Sequence, residues 1–244
     1  MDLSVIKEQA RQILRTRKRV LLLAGLLFLL LSAVFSVLNF LVIAPPYETY
    51  QRYLALVGEG QFQQAFELLQ SYQPRFVETV ASDLLNYLLA IVDFGLLMLI
   101  VHAIRGEEIA VGMLLDGFGQ WWRVLLIAIW RDLLVSLGFV LLIVPGVFLA
   151  YSYRMAPYIL LRHPEYGILD CMRESRRRMT GKRMELFVLD LSFLGWILLC
   201  CVPILGWVLA LWVFPWYRCS EALFFEAVSV PFEDGSLPEV RTAL

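Results

Sequence analysis

The stretch VLLLAGLLFLLLSAVFSVLNFLVI, residues 20 to 43, runs for 24 residues without a charged side chain. A hydrocarbon core about 30 Å thick takes roughly 20 apolar residues of helix, because backbone groups left unpaired there have no water to bond. A cleavable signal peptide has an apolar core of only about 7 to 15 residues and a small-x-small cleavage site. This stretch is longer and no such site is clear behind it, so it reads as a retained anchor.

The rest of the chain agrees with that reading. Of 244 residues, 60% are hydrophobic and 18% charged, against about 45 to 50% and about 25% in soluble domains. Leu84 to Ile104 is a second long apolar run, with Asp93 its one acidic residue. Val124 to Leu161 is interrupted by Pro145-Gly146, and Glu185 to Glu226 by Cys201-Val202-Pro203 with Gly206 behind it; such residues favour turns and remove helical hydrogen bonds. The predicted fold is therefore all-α, a polytopic transmembrane bundle of about six helices at 20–43, 84–104, 124–144, 146–161, 185–201 and 204–226. The last four form two proline-broken hairpins, and 20–226 is one transmembrane domain. Two of these helices, with 16 and 17 residues, reach only about 24 to 26 Å, so the hairpins either cross a locally thinned bilayer or turn back inside it. Crossing is the expectation.

Orientation follows from where Lys and Arg lie, since they are retained in the cytoplasm during insertion. Residues 1–19 carry six (Lys7, Arg11, Arg15, Arg17, Lys18, Arg19), and 162–183 carry seven (Arg162, Arg173, Arg176, Arg177, Arg178, Lys182, Arg183), whereas 44–79 carries only Arg52 and Arg75. Both termini, including the tail 227–244, are then cytoplasmic. In the outer segment 44–79, Tyr53, Leu54 and Val57, then Phe62, Phe66 and Leu69, recur at helical spacing around Gly58-Glu59-Gly60, which predicts a helix-turn-helix. On the inner side Ile109, Met113, Leu114, Phe118, Trp121 and Trp122 predict an interfacial helix with aromatic anchors. The basic residues Arg173, Arg176, Arg177, Arg178, Lys182 and Arg183 flank a weakly apolar face of Ile168, Met172, Ser175 and Met179, which suits contact with anionic lipid of the cytoplasmic leaflet or docking of a protein partner.

Ionisable groups inside a membrane helix are costly and face the protein interior, where they pair or work. At 1.5 Å per residue from the inner helix ends, Arg131, Arg154, Asp190 and Arg218 all lie at about 10 to 12 Å, with Asp132 beside Arg131 and Asp93 at about 18 Å. Tyr151, Arg154 and Tyr158 share a face at i, i+3 and i+7, and Arg218 reaches Glu221. Two readings compete. Arg131, Arg154 and Arg218, helped by Tyr151 and Tyr158, hold an anionic ligand; or the same arginines are paired within a structural network. Asp93, Asp132, Asp190 and Glu221 are the partners in that network, or the members of a proton pathway.

Two further expectations are negative. His102 and His163 stand alone, and the chain has no HExxH, Gly-Lys-Ser/Thr or Gly-x-Ser-x-Gly pattern. Cys171, Cys200, Cys201 and Cys219 show no CxxC spacing and read as reduced. The expectation is no enzyme, no cofactor and no metal, with an intramembrane hydrolase using Asp93, Asp132 and Asp190 as the distant alternative. A net charge of −1 gives no sign of a nucleic-acid partner.

The two hairpins resemble each other, Tyr153-Arg154-Met155-Ala156 aligning with Tyr217-Arg218-Cys219-Ser220, as a parallel repeat would. More specific are LLIVPG (141–146), AYSYRMAPY (150–158), ESRRRM (174–179), LFVL (186–189) and LSFLGW (191–196). Together they resemble a bacterial group of multi-helix membrane proteins, domain-of-unknown-function family 975, most strongly from Gly117 to Phe225. The resemblance implies a bacterial cytoplasmic, that is inner, membrane and brings no activity or substrate. The expected function is a small transport or export component, or an accessory subunit, that binds an anionic ligand or lipid through the arginine layer. The alternative is a structural or lipid-organising membrane protein without a ligand. A homo-oligomer is compatible with either.

Overall fold

A computed structural model describes residues 2–200, 202 and 205–229. The described residues are all-α. They divide into two compact units, Leu30–Leu89 and the pair of segments Met1–Leu29 and Ala90–Leu244. Three helical stretches, Lys18–Ile43, Phe76–Ile104 and Val111–Leu141, are long and apolar enough to cross a membrane, with mean hydropathies of 2.8, 2.3 and 2.2. Of the four spans expected in the C-terminal half, only the first is among them.

The larger unit begins with α1 (Leu3–Thr16), whose N-terminus is capped by the Asp2 carboxylate accepting from the Ser4 N–H at 2.9 Å. Ile6, Ala10, Ile13 and Leu14 recur at i, i+4, i+7 and i+8 and are buried, packed on the last helix, α11 (Leu205–Ser229). The segment 1–19, expected only as a basic tail, thus contributes a packed amphipathic helix. Its charges concealed the period, because the apolar face is narrow and Arg11 and Arg15 flank it.

Helix α2 (Lys18–Ile43) follows, and Phe28 stacks on Phe214 of α11 with centroids 5.3 Å apart. In the unit Leu30–Leu89, α3 (Tyr47–Gly58) and α4 (Phe62–Ser71) pack together. They are joined through Gly60, whose φ of 75° is open to glycine at no steric cost.

Helix α5 (Phe76–Ile104) leads to a 3-10 helix over Val111–Gln120 and then α6 (Trp121–Leu141). The expected interfacial helix is therefore 3-10; its Leu114 and Gly117 are buried, while the aromatic anchors Phe118, Trp121 and Trp122 are exposed. A Cβ at Gly95 would sit 2.1 Å from the Leu114 carbonyl oxygen, and one at Gly117 would sit 2.4 Å from that of Ile91, so two backbones touch through glycine.

The break expected at Pro145-Gly146 lies three residues earlier, at Leu142. Helix α6 ends at Leu141, Leu142 is extended (φ −167°, ψ 158°), and α7 runs Ile143–Tyr153. Pro145 thus lies in the first turn of α7, where its missing N–H leaves no helical bond unmade. The expected helix 146–161 is also two pieces: α7 stops at Tyr153 and α8 runs Ala156–Arg162. Pro157 explains the stop, since it cannot donate to the Tyr153 carbonyl and its ring crowds the preceding turn. At 11 and 7 residues, these pieces are about 16 and 10 Å long.

Helix α9 (Ile168–Arg178) buries Cys171, Met172 and Ser175 against α6, α7 and α8, and the Ser175 hydroxyl donates to the Ser152 carbonyl at 2.8 Å. The weakly apolar face expected to lie on lipid is covered by the protein itself, with Met179 fully buried as well. Helix α10 (Arg183–Cys200) then packs on α7 and α11. The expected break at Cys201-Val202-Pro203 falls between α10 and α11; Cys201 and Pro203 lie outside the described residues, as does the tail from residue 230. Pro215 sits within α11 without ending it.

Candidate functional site

Arg154 caps α7 just before Pro157 stops the helix, so its side chain leaves from the junction between α7 and α8. From this junction the guanidinium reaches two helices. Its Nη1 donates to Asp190 Oδ2 of α10 at 2.5 Å, its Nε to Glu221 Oε1 of α11 at 2.7 Å, and its Nη2 to the Tyr217 hydroxyl. Asp190 also accepts from Tyr151 at 2.8 Å and Tyr217 at 2.9 Å.

Glu221 joins this cluster to a second. Its other oxygen accepts from Arg218 Nη1 at 2.7 Å, and Arg218 Nη2 donates to Asp93 Oδ1 of α5 at 2.6 Å. The Glu221 side chain is only 5% exposed, so its two charge-assisted bonds are what make its burial tolerable. The chain Tyr151, Asp190, Arg154, Glu221, Arg218, Asp93 therefore ties α5, α7, α10 and α11 together. Three carboxylates face two guanidiniums, so this layer holds no surplus of arginine.

Two expected members lie elsewhere. Arg131 of α6 bonds its own neighbour Asp132 at 3.0 Å, and both side chains are exposed by more than a third. Depth along a helix placed Arg131 level with Arg154 and Arg218, but depth says nothing of direction around the axis. Tyr158 is buried in α8 against Phe225, and its hydroxyl accepts from Arg162, which also bonds Glu226 at 3.1 Å. Its shared face with Tyr151 and Arg154 assumed one continuous helix; the stop at Tyr153 removes that register.

Tyr217, which bonds both Arg154 and Asp190, was not among the expected site residues. Its position four residues before Glu221 on one helix face was the available signal. No two of Asp93, Asp132 and Asp190 share a hydrogen-bond partner among the described residues. Among those residues no three His, Cys, Asp or Glu side chains are arranged to hold a metal ion.

Arg131 and Asp93 do face one space. A small open cleft is lined by Ala90, Asp93, Phe94 and Leu97 of α5, by Val124, Ile127, Ala128 and Arg131 of α6, and by Pro157 and Leu160. On both long helices the lining recurs at i, i+3, i+4 and i+7, which defines one face each.

On α9, Arg173, Arg176 and Arg177 are exposed. Glu174 accepts from Arg177 at 2.8 Å and from Arg178 at 2.6 Å, and these bonds, the Arg177 one foremost, hold its carboxyl down at about 2. Lys182 bonds Glu185 at 2.9 Å, and the Arg183 guanidinium lies 4.0 Å over the Phe148 ring. The three exposed arginines are the part of this basic cluster open to a surface.

The model of the family described as "Protein of unknown function (DUF975)" matches residues 1–230. No curated protein and no solved structure matches the chain.

Proposed function

We propose, for a chain that belongs to the DUF975 family of proteins of unknown function, a structural or lipid-organising role as a multi-pass protein of the bacterial cytoplasmic membrane. In this reading six helical segments engage the bilayer and both termini are cytoplasmic, as the distribution of Lys and Arg requires. Helices α10 and α11 carry Asp190, Arg218 and Glu221 at their centres, and mutual pairing is what lets such helices sit in lipid. The charge layer works as a lock between the two C-terminal hairpins, not as a receptor and not as an enzyme.

The observation that carries this is the occupancy of the arginines. Arg154 and Arg218 each bond two carboxylates, so an incoming anion would have to displace a buried carboxylate and leave it unpaired, which is costly. The exposed Arg173, Arg176 and Arg177 contact anionic lipid of the cytoplasmic leaflet, each contributing about 1 kcal/mol near the surface.

Thermal unfolding in detergent tests the lock. Arg154→Met and Arg218→Met are expected to melt earlier than the parent, with the same deficit whether or not phosphate or citrate is present. A rise in melting temperature with either anion, lost in both variants while they stay folded, would overturn the lock in favour of anion recognition.

A second reading, a transport component or accessory subunit, is favoured by one observation only. The cleft between α5 and α6 brings Asp93 and Arg131 to a common space outside the lock.

A further inference from the structure

Within the unit Leu30–Leu89, α3 and α4 turn apolar faces outward. On α4 Ala65 alone is buried, with Leu68 half-buried beside it. Phe62, Phe66 and Leu69, at i, i+4 and i+7, form a second face that is exposed, both phenylalanines at 67%. Helix α3 repeats the pattern: Tyr53, Leu56 and Val57 are half-buried, whereas Tyr47, Tyr50 and Leu54, at i, i+3 and i+7, are exposed. Large apolar groups gathered on an exposed face mark a contact surface.

The two faces fall on one side of the hairpin. The Tyr72 hydroxyl, just beyond α4, donates to the Ala44 carbonyl, just ahead of α3, at 3.4 Å. Helix α4 thus returns to where α3 began, and the two run in opposite directions. At about 100° per residue, the exposed apolar face of each helix stands about a quarter turn from its more buried side, in the same rotational sense. Antiparallel helices that turn the same way from packed side to apolar side present both apolar faces together.

We infer that this side of the hairpin is set into the outer leaflet, at the boundary of headgroups and acyl chains, and that zwitterionic lipid is enough to seat it. The inference rests on the membrane reading above. Links of three residues (44–46) and four (72–75) join the hairpin to α2 and α5, both long and apolar enough to cross a membrane. At about 3.5 Å per residue the links hold it within about 14 Å of both helix ends. The apolar surface continues onto those ends, where Phe40 and Leu41 of α2 and Phe76 and Val77 of α5 are exposed. The bilayer is thus the apolar phase within reach, and Tyr and Phe suit its boundary. Charge points to the kind of lipid. Glu48, Glu59, Glu67 and Glu78 outnumber Arg52 and Arg75 in the segment 44–79, so apolar insertion and not attraction to anionic headgroups does the seating. A hairpin set into one leaflet widens that leaflet alone, which gives the lipid-organising role a definite place.

The test attaches bimane to the full chain in phosphatidylcholine vesicles. Phe62→Cys and Phe66→Cys carry it on the apolar side of α4, Gln64→Cys carries it on the polar side, and the treated parent supplies the background from native cysteines. All three positions are exposed, and either apolar position suffices if the other variant folds poorly. The label at 62 or 66 is expected to lose its fluorescence to doxyl-labelled phosphatidylcholine and to keep it against iodide present on both faces of the vesicle; the label at 64 is expected to do the reverse. Iodide quenching at 62 and 66 would leave the face in water. Shielding there from both quenchers would place it against protein, a second copy or another chain. Either result would overturn the inference. A chain that does not float with the vesicles would instead overturn the membrane reading, so the two failures are distinguishable.

Discussion

Arg154 and Glu221 are 67 positions apart in sequence, yet the Arg154 Nε donates to Glu221 Oε1 at 2.7 Å. The contact exists because Pro157 ends α7 and frees Arg154 to point between helices, while Glu221 lies one turn beyond Tyr217 on α11. A charge that local sequence leaves on an apolar helix is thereby fixed by a partner from the other hairpin.

The lock predicts unequal costs for two arginines of the same nominal depth. Arg154→Met leaves Asp190 with tyrosines alone and Glu221 half-satisfied, and is expected to destabilise by about 3 to 5 kcal/mol. Arg131→Met breaks one exposed pair between neighbours and is expected to cost less than about 1 kcal/mol. Unfolding midpoints in mixed micelles compare the two directly, and equal losses would remove the distinction between them.

Glycine packing makes a second contrast, between α5 and the 3-10 segment. Gly95→Ala places a methyl 2.1 Å from the Leu114 carbonyl oxygen and Gly117→Ala places one 2.4 Å from that of Ile91, whereas Gly112 and Gly119 have nothing within 4 Å. The first two substitutions are expected to lower stability by about 1 to 3 kcal/mol. The same substitution at Gly112 or Gly119 removes flexibility from the unfolded chain and leaves stability level or slightly raised. Melting curves of the four variants decide it.

These contrasts also mark what the sequence could tell. The apolar runs announce α2 and α5 because span length is a one-dimensional property. Depth counting singled out Arg154, Asp190 and Arg218, since rise per residue is fixed and basic ends supply an origin. It misplaced Arg131, whose direction around α6 depends on packing, and Tyr158, whose register depends on a helix stop at Tyr153. Pro145 looked like the breaker and Pro157 did not. Only the position within the turn separates them: Pro145 falls where no N–H is needed, and Pro157 falls where one would continue α7. The face of α9 was visible in Met172, Ser175 and Met179, but a face buried on protein and one lying on lipid have the same period.

Glu174 gives a dependence on pH. Its carboxyl stands at about 2, below the usual 4.5, because Arg177 and Arg178 donate to it. A folded value below the unfolded one means that the stabilisation is fully present above about 4.5 and is lost as pH falls through about 2. Glu174→Gln should therefore melt earlier than the parent at pH 7, and the gap should narrow from pH 4.5 downward. A gap independent of pH across that range would show that the carboxylate charge is not what holds the start of the basic cluster.

Trp216 controls the N-terminal helix. Its indole Nε1 donates to the Lys7 carbonyl at 3.0 Å, and the Arg11 guanidinium lies 4.9 Å over its ring. Trp216→Phe keeps an aromatic group in the same buried place but removes the N–H, worth about 1 kcal/mol, and weakens a cation–π contact worth about 0.5 to 1 kcal/mol. Opening of α1 should become about tenfold more frequent. Trypsin reads this, because Arg11 and Arg15 lie within α1 and a helical bond must unwind before it is cut. Cleavage there is expected to accelerate about tenfold in Trp216→Phe and to stay unchanged in Trp122→Phe, whose side chain is half-exposed on α6. Unchanged cleavage in Trp216→Phe would mean that Ile6, Ala10, Ile13 and Leu14 hold α1 down unaided.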